Sequence, residues 1–198
     1  MLSYALAQRV GQTVTVEMAR EMLRELFPDK SPTPATFGEQ QYKEYTFRVE
    51  LFRDIVDELH PLHQAHYAET EVFRAGIPLE PNYENAIERE RSGGLLQITA
   101  RTGAGELVGH IRGYLTLSLH TCTLIASEDA FFIVPEHRRG FMAARLLQFY
   151  EKCVVAAGAR EIYLDAKLVN RADVLAKYLK YQPVATKFAK VITTPTKE

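Results

Sequence analysis

Cysteine is scarce in this 198-residue chain: there are two, Cys122 and Cys153, and neither stands in a Cys-x-x-Cys or Cys/His ligand spacing. That excludes a disulfide framework and a thiolate metal site, and both are expected as buried free thiols in apolar stretches. Long apolar runs are missing too. No stretch approaches the roughly 18–20 residues of a membrane span, and Met1 to Val10 lacks the charged start, apolar core and small-residue cleavage site of a secretory leader. A surplus of one charge is also lacking. Lys plus Arg total 24 against 25 Asp plus Glu, a net charge of -1, so nothing global advertises nucleic-acid or membrane binding. No internal repeat, low-complexity segment, Walker loop or GxGxxG turn is present. What remains is an ordinary globular composition, 46% hydrophobic and 25% charged, at a length suited to one domain with a small addition. The expectation is a soluble cytoplasmic protein with no nucleic-acid, membrane or metal partner.

The hydrophobic pattern divides the chain. Thr15 is placed to cap a helix whose Met18, Met22, Leu23, Leu26 and Phe27 share a face, and Pro28 stops it. The Pro/Ser/Thr-rich stretch from Asp29 to Gly38 reads as a linker, so residues 1–38 form an N-terminal helical extension and residues 39–198 the main domain. Tyr45 to Phe52 alternates as an edge strand. Asp54 to Phe73 has helical spacing, with an expected interruption at His60-Pro61, and Tyr83 to Arg91 forms a short helix. From Leu95 the period changes to two: strands at Leu95–Arg101, Leu107–Leu119 and about Cys122–Val134 make an antiparallel meander. A helix from Gly140 to Val155, a strand at Glu161–Leu168, a helix at Ala172–Leu179 and a final strand at Pro183–Ile192 complete a mixed α/β sheet with helices packed on it.

The chemistry concentrates where the third meander strand meets the next helix, in Val134-Pro135-Glu136-His137-Arg138-Arg139-Gly140-Phe141-Met142-Ala143-Ala144-Arg145. An apolar strand runs through a short basic loop straight into an amphipathic helix. The unbonded N–H groups of the first helical turn and the helix dipole make such a turn an anion cradle suited to a phosphate or pyrophosphate. Arg138, Arg139 and Arg145 add charge, while Ala143 and Ala144 let a bulky ligand approach the backbone. The same composition also suits a turn that merely starts and solvates a helix.

This segment resembles the acetyl-CoA signature of the GNAT superfamily of N-acetyltransferases, Arg/Gln-x-x-Gly/Ala-x-Gly/Ala, with Arg138 on the first position and Ala143 on the last. Phe141 stands where the middle Gly/Ala belongs, with Gly140 one residue early. Leu175-Ala176-Lys177-Tyr178-Leu179-Lys180-Tyr181 resembles the family's Leu-Tyr-x-x-Leu-Gly-Phe/Tyr, and Asn170 falls where the family often has Asn. Thr13 to Asp29, the His60-Pro61-Leu62-His63-x-x-His66 run and Lys167 to Asn170 look like a phage- and prophage-encoded subgroup. The likeness covers about Tyr45 to Ile192. It implies a GNAT-like α/β (α+β) fold: a mixed, mostly antiparallel sheet with a splayed parallel strand pair, helices on both faces and the extra N-terminal helix.

The resemblance also implies an activity: transfer of an acetyl group from acetyl-CoA to a primary amine, on a small molecule or on a protein lysine or N-terminus. The protein would be cytoplasmic, in the host if phage-encoded, and such proteins often form homodimers. Backbone groups of Ile133 and Val134 would pair with the pantetheine arm. Arg138, Arg139, Gly140, Phe141, Met142 and Ala143 would hold the pyrophosphate, with Asn170 nearby. Strand alternation sends Glu128 and Asp129 to opposite faces, so only one can address the acceptor; the general base would be Asp129, ahead of Glu128, because it aligns better with the family's acidic position. The usual acid, a Tyr, is replaced by Ala176. Tyr178 is the substitute candidate, although a two-residue shift turns a helical side chain by about 200°.

His60, His63 and His66 recur at three-residue steps, which drift about 60° backwards each time around a helix, so they do not converge on a metal. His63, His66, Glu69 and Glu71 are instead expected over the acceptor pocket, where they would recognise a charged amine. The departures at Phe141, Ala176 and Lys180 motivate a second reading, a GNAT-shaped binding or regulatory protein without turnover.

Overall fold

The computed structural model describes residues 7, 9–74, 76–167, 169 and 172–192. Within them six strands form one sheet in chain order: β1 (Glu39–Tyr42), β2 (Tyr45–Val49), β3 (Leu95–Thr102), β4 (Leu107–Leu117), β5 (Leu124–Ile133) and β6 (Glu161–Tyr163). Every neighbouring pair is antiparallel except β5 and β6. The parallel pair is brief. Ile125, Ala126 and Ser127 face Glu161, Ile162 and Tyr163, and there the ladder stops, while β5 runs on to Ile133 along an open edge. The splayed pair expected from the sequence is this divergence.

Period-two alternation sends the two sides of the sheet to two cores. Helix α4 (Met142–Ala156) covers one, burying Met142, Leu146, Leu147, Phe149 and Tyr150 against Phe47, Leu96, Ile98 and Ile111. Helices α2 (Phe52–Thr70) and α3 (Tyr83–Arg91) cover the other, where Phe52, Ile55, Leu59 and Leu62 meet Leu95, Leu107 and Phe132. Leu51 caps α2 with no side-chain bond, and the buried Glu90 of α3 takes over, accepting from the backbone N–H of Phe52 and of Arg53.

Helix α1 (Val16–Leu26) starts as expected, with Thr15 Oγ1 accepting from the Met18 N–H at 3.2 Å. It leaves Val16, Leu23 and Phe27 largely exposed. Helix α5 (Ala172–Tyr178) lies near the C-terminal end.

Several sequence expectations need correction. Pro61 does not interrupt α2. An internal proline costs about 3 kcal/mol, and burial of Leu59 and Leu62 on either side of it offsets that loss. The strand expected at 183–192 is irregular chain, exposed from Gln182 to Lys190, because no neighbouring strand offers it a ladder. Cys122 is exposed in a turn at φ 55°, whereas Cys153 is buried as expected. β4 ends at Leu117, so Leu119 extends into solvent. β1 was not foreseen. Its hairpin turns on Lys43-Glu44, with Lys43 at φ 52°, and lacks the Asn-Gly signal that marks such turns.

Candidate active site

The site begins with an irregularity in β5. Its register against β4 passes from Ala130 opposite Arg112 to Glu128 opposite Gly113, leaving Asp129 as the extra residue of a bulge. Glu128 and Asp129 still leave the strand on opposite faces, Glu128 opposite Gly113 above Tyr150 and Asp129 towards Arg112, whose guanidinium lies over Phe52. The expectation that only one of them reaches the site is corrected: Ser127, Glu128 and Asp129 all line one cavity of about 330 Å³. Glu71, Tyr114, Tyr163, Asp165, Lys167 and Lys187 complete much of its wall. The cavity lies where β5 and β6 part.

Gly113 makes room beneath the bulge. A Cβ there would lie 2.3 Å from the Tyr150 hydroxyl oxygen, so only glycine lets this buried ring pack under β4. Gly113→Ala is expected to lower unfolding free energy by about 1–3 kcal/mol, the usual cost of overpacking a core, read by urea denaturation. An unchanged midpoint would contradict this packing.

The two carboxylates differ in their surroundings. Asp129 Oδ2 accepts from Arg112 Nε at 2.7 Å and faces its terminal nitrogen at 2.6 Å, forming an ion pair. Glu128 has no salt-bridge partner among the described residues, and its Oε2 accepts from the Asp165 backbone N–H at 3.2 Å. Burial raises Glu128 to about 7, since the charged form loses hydration. Around it Lys167 pairs with Glu71, which also accepts from Arg74 at 2.7 Å, and Lys187 pairs with Asp165. Burial alone would raise Glu71, but the hydrogen bonds from Lys167 and Arg74 hold it below the usual carboxylate value.

The cradle lies at the far end of β5. Val134 is committed on both sides: its N–H donates to Val108 and its carbonyl accepts from the His137 N–H, each at 2.9 Å. Antiparallel alternation then turns the backbone of Ile133 away from β4, towards the open edge. Arg138 Nε takes the Ile133 carbonyl at 2.7 Å, so the Ile133 N–H is the group left to meet an extended ligand.

In the turn itself, the amides of Arg138, Arg139 and Met142 bond to backbone carbonyls, and that of Phe141 donates to the Tyr42 hydroxyl at 3.1 Å. Among the described residues no bond engages the amides of Gly140, Ala143 and Ala144, which leaves three donors at the N-terminus of α4. Gly140 sits at φ 58°, and a Cβ there would approach the Tyr42 hydroxyl to 3.1 Å. These features fit an anionic diphosphate.

Charge around the cradle is not distributed as the sequence suggested. Arg138 is neutralised by a two-point pair with Glu69 at 3.0 and 2.5 Å and stacks over Phe132. It ties the end of α2 to the loop. Lys43 of the β1–β2 hairpin comes within 3.5 Å of a Cβ placed on Gly140, a contribution sequence reading missed because the hairpin was missed. Arg139 has no ion pair among the described residues, and Arg145 bonds to Gln148 at 3.1 Å.

The remaining candidates scatter. Tyr178 stacks on Phe141, 6.1 Å between centroids, and does not line the Glu128 cavity. Of the acceptor group on α2, only Glu71 does. Glu69 is held by Arg138, and His66 packs against Phe132 at 5.6 Å. His63 is buried, with Nδ1 3.0 Å from the Tyr83 hydroxyl and its ring edge-on to the buried His110 at 5.1 Å. His60 meets the same hydroxyl at 2.9 Å. Met142 is fully buried, and Asn170 lies outside the described residues. Among the described residues no group of three or more His, Cys, Asp or Glu side chains is placed to hold a metal, and no helix is long and apolar enough to cross a membrane.

Solved structures similar to this chain include acetyltransferases. The aminoglycoside acetyltransferase HMB0005, from an uncultured soil metagenomic sample, matches with a TM-score of 0.61 at 16% identity, over 75% of this chain and 99% of its own. A putative acetyl transferase from Pyrococcus furiosus gives 0.55 at 22% identity, over 75% and 100%. AAC(6')-Iy, solved with the bisubstrate analogue CoA-S-monomethyl-acetylneamine, gives 0.59 at 14% identity, over 76% and 99%. No protein-family model and no curated protein matches the chain. These neighbours are of the GNAT type, and at such identities the likeness establishes the fold: a mixed sheet with one parallel pair.

Proposed function

We propose that this chain is an acyl-CoA-dependent N-acyltransferase moving an acetyl group from acetyl-CoA to a primary amine. One observation carries the reading: β5 loses its parallel partner after Ser127, and Glu128 stands in the wall of the gap that opens. The free amides at the end of the same strand suit the donor's diphosphate, with Arg139, Arg145 and Lys43 supplying charge. The Ile133 N–H suits the pantetheine arm, and Asn170 keeps the supporting role the resemblance implies.

Glu128 is the base in this reading, in place of Asp129, which Arg112 holds as an ion pair. A carboxylate near 7 matches the working pH of general-base catalysis. It takes a proton from the acceptor ammonium, directly or through water; the amine attacks the thioester carbon and the thiolate departs. Tyr178 stands apart, so the hydroxyls of Tyr114 and Tyr163 in the cavity wall are assigned the thiolate's proton. Holding both substrates in line supplies much of the acceleration. Glu128, the carboxylate of the cavity wall with no salt-bridge partner among the described residues, suits the amine of a polyamine-like or aminoglycoside-like molecule, or of a protein lysine or N-terminus. The enzyme is placed in the cytoplasm, the host's if it is phage-encoded, and a homodimer remains part of the reading. Glu128 at about 7 favours turnover over the non-catalytic alternative.

Calorimetry with acetyl-CoA followed by thiol release across an amine panel tests this. Binding with release on at least one amine is expected; absence of binding would overturn the reading. Arg139→Ala is expected to weaken acetyl-CoA affinity roughly 10-fold, the scale of one charge-assisted hydrogen bond. Arg138→Ala, whose charge Glu69 already neutralises, is expected to cost less affinity and more thermal stability. The reverse ranking would show that Arg138 is the phosphate ligand.

A further inference from the structure

We propose that Lys187, on the chain's own C-terminal segment, is an acyl acceptor of this site and is acetylated in cis. The proposal rests on the acyltransferase reading above and adds a modification site to it.

The segment from Gln182 to Lys190 is exposed and has no place in the sheet, yet Lys187 lines the cavity that holds Glu128. Its ammonium pairs with the Asp165 carboxylate, and the backbone N–H of that same Asp165 is the donor to Glu128. The amine and the proposed base are thus tied to the two ends of one residue. Lys187 remains 79% exposed along its side chain, so it reaches the cavity from the solvent side, as an arriving substrate amine would. The other lysine of the cavity, Lys167, is pinned to Glu71, with its side chain 33% exposed on the wall that continues β6. Lys177 pairs with Asp173 on α5 and does not line the cavity.

The hydrogen bond that Lys187 donates to Asp165 raises it above the ordinary lysine value, and the charges of Asp165, Glu128 and Glu71 add to it. The amine therefore waits as an ammonium and needs a base. Glu128 receives the proton from Nζ. The freed nitrogen lone pair forms the bond to the thioester carbonyl carbon, the C–S bond breaks with its electron pair leaving on the CoA thiolate, and the second proton, shed by the nitrogen as it becomes an amide, passes to that thiolate. The product is a neutral amide that has lost its ion pair with Asp165, so modification releases the segment from the mouth and opens the cavity to external amines.

The test is a time course of the purified full chain with acetyl-CoA, read by peptide mass spectrometry at several protein concentrations. The same chain unfolded in urea reports the non-enzymatic pattern. In the folded chain the acetyl group is expected on Lys187 ahead of Lys177, Lys180 and Lys190, with a half-time independent of protein concentration. That preference should vanish on unfolding, and the labelling rate should fall roughly 100-fold in Glu128→Gln, the lower end of the range for a lost general base. A label on Lys167 instead, equal labelling of all exposed lysines, or a rate that scales with protein concentration would overturn the proposal while external amines still turn over. If acetyl-CoA does not bind and no amine releases thiol, the acyltransferase reading falls, and this proposal falls with it.

Discussion

Glu128→Gln is expected to lower kcat/KM for acyl transfer roughly 100-fold, the lower end of the range for a general base. In the wild type, kcat/KM should rise with pH through about 7 as the buried carboxyl ionises in the free enzyme, and in the variant that rise should disappear. The same substitution has a second, opposite signature in stability. Burial lifts the folded carboxyl from its ordinary 4.5 to about 7. Between those values the folded chain keeps a proton that the unfolded chain has released, so stability falls as pH rises through this window. Glutamine never ionises. The variant should therefore be more stable than the wild type by about 2 kcal/mol near pH 8, because burying the charged carboxylate costs that much once its remaining solvent contact is allowed for. Loss of activity with gain of stability marks a functional buried charge. A pH profile with the same midpoint in both proteins would remove Glu128 from the mechanism.

His110→Gln is expected to destabilise the protein at neutral pH and to do so progressively less as pH falls. His110 is fully buried, and the pair it makes with His63 is desolvated: burial pushes His63 down to about 3 and His110 well below its ordinary 6.5. Both stay neutral in the folded state. Below about 6.5 each unfolded histidine binds a proton that its folded counterpart refuses, so the stability from their burial is complete above that pH and is lost as pH falls. Each histidine contributes a slope of about 1.4 kcal/mol per pH unit in this range. Glu128 and Glu90, both raised by burial, slope the other way between their ordinary and folded values and mask part of the loss. The difference between wild type and His110→Gln isolates one histidine. Unfolding free energies at pH 5, 6 and 7 should converge for the two proteins; parallel curves would show that His110 is not buried neutral.

The fold was legible where one local signal sufficed. The Thr15 cap, the meander from Leu95, the helix through Leu146, Leu147 and Phe149, and the strand-loop-helix around Gly140 each follow from periodicity and a punctuating residue. Pro61 misled, because whether a proline breaks a helix depends on what its neighbours bury, and Leu59 and Leu62 are both seated in a core. The segment at 183–192 misled in the opposite sense: its apolar residues suit a strand, but a strand exists only beside a partner.

The site divided along the same line. Arg139, Gly140 and Ala143 lie in the turn ahead of α4 that the sequence marks, and Glu128 and Asp129 both reach the cavity because it opens where β5 loses β6, which no local pattern announces. Sequence proximity gave Arg138 to the phosphate, whereas an acid 69 residues away on another helix neutralises it. Helical spacing points His63 at a substrate, whereas in the fold it is buried between α2 and the sheet, edge-on to His110 of β4.

By itself, then, the order of residues determined most of the elements, the strand-loop-helix turn around Gly140 and the class of fold, since each depends on spacing within a few turns or a few strand residues. Tertiary structure alone decided which carboxylate is poised near neutrality, which arginine is free, and that a lysine from the chain's end stands at the cavity mouth. Those properties are set by desolvation and by charges brought together from distant parts of the chain, and no local pattern encodes a dielectric environment.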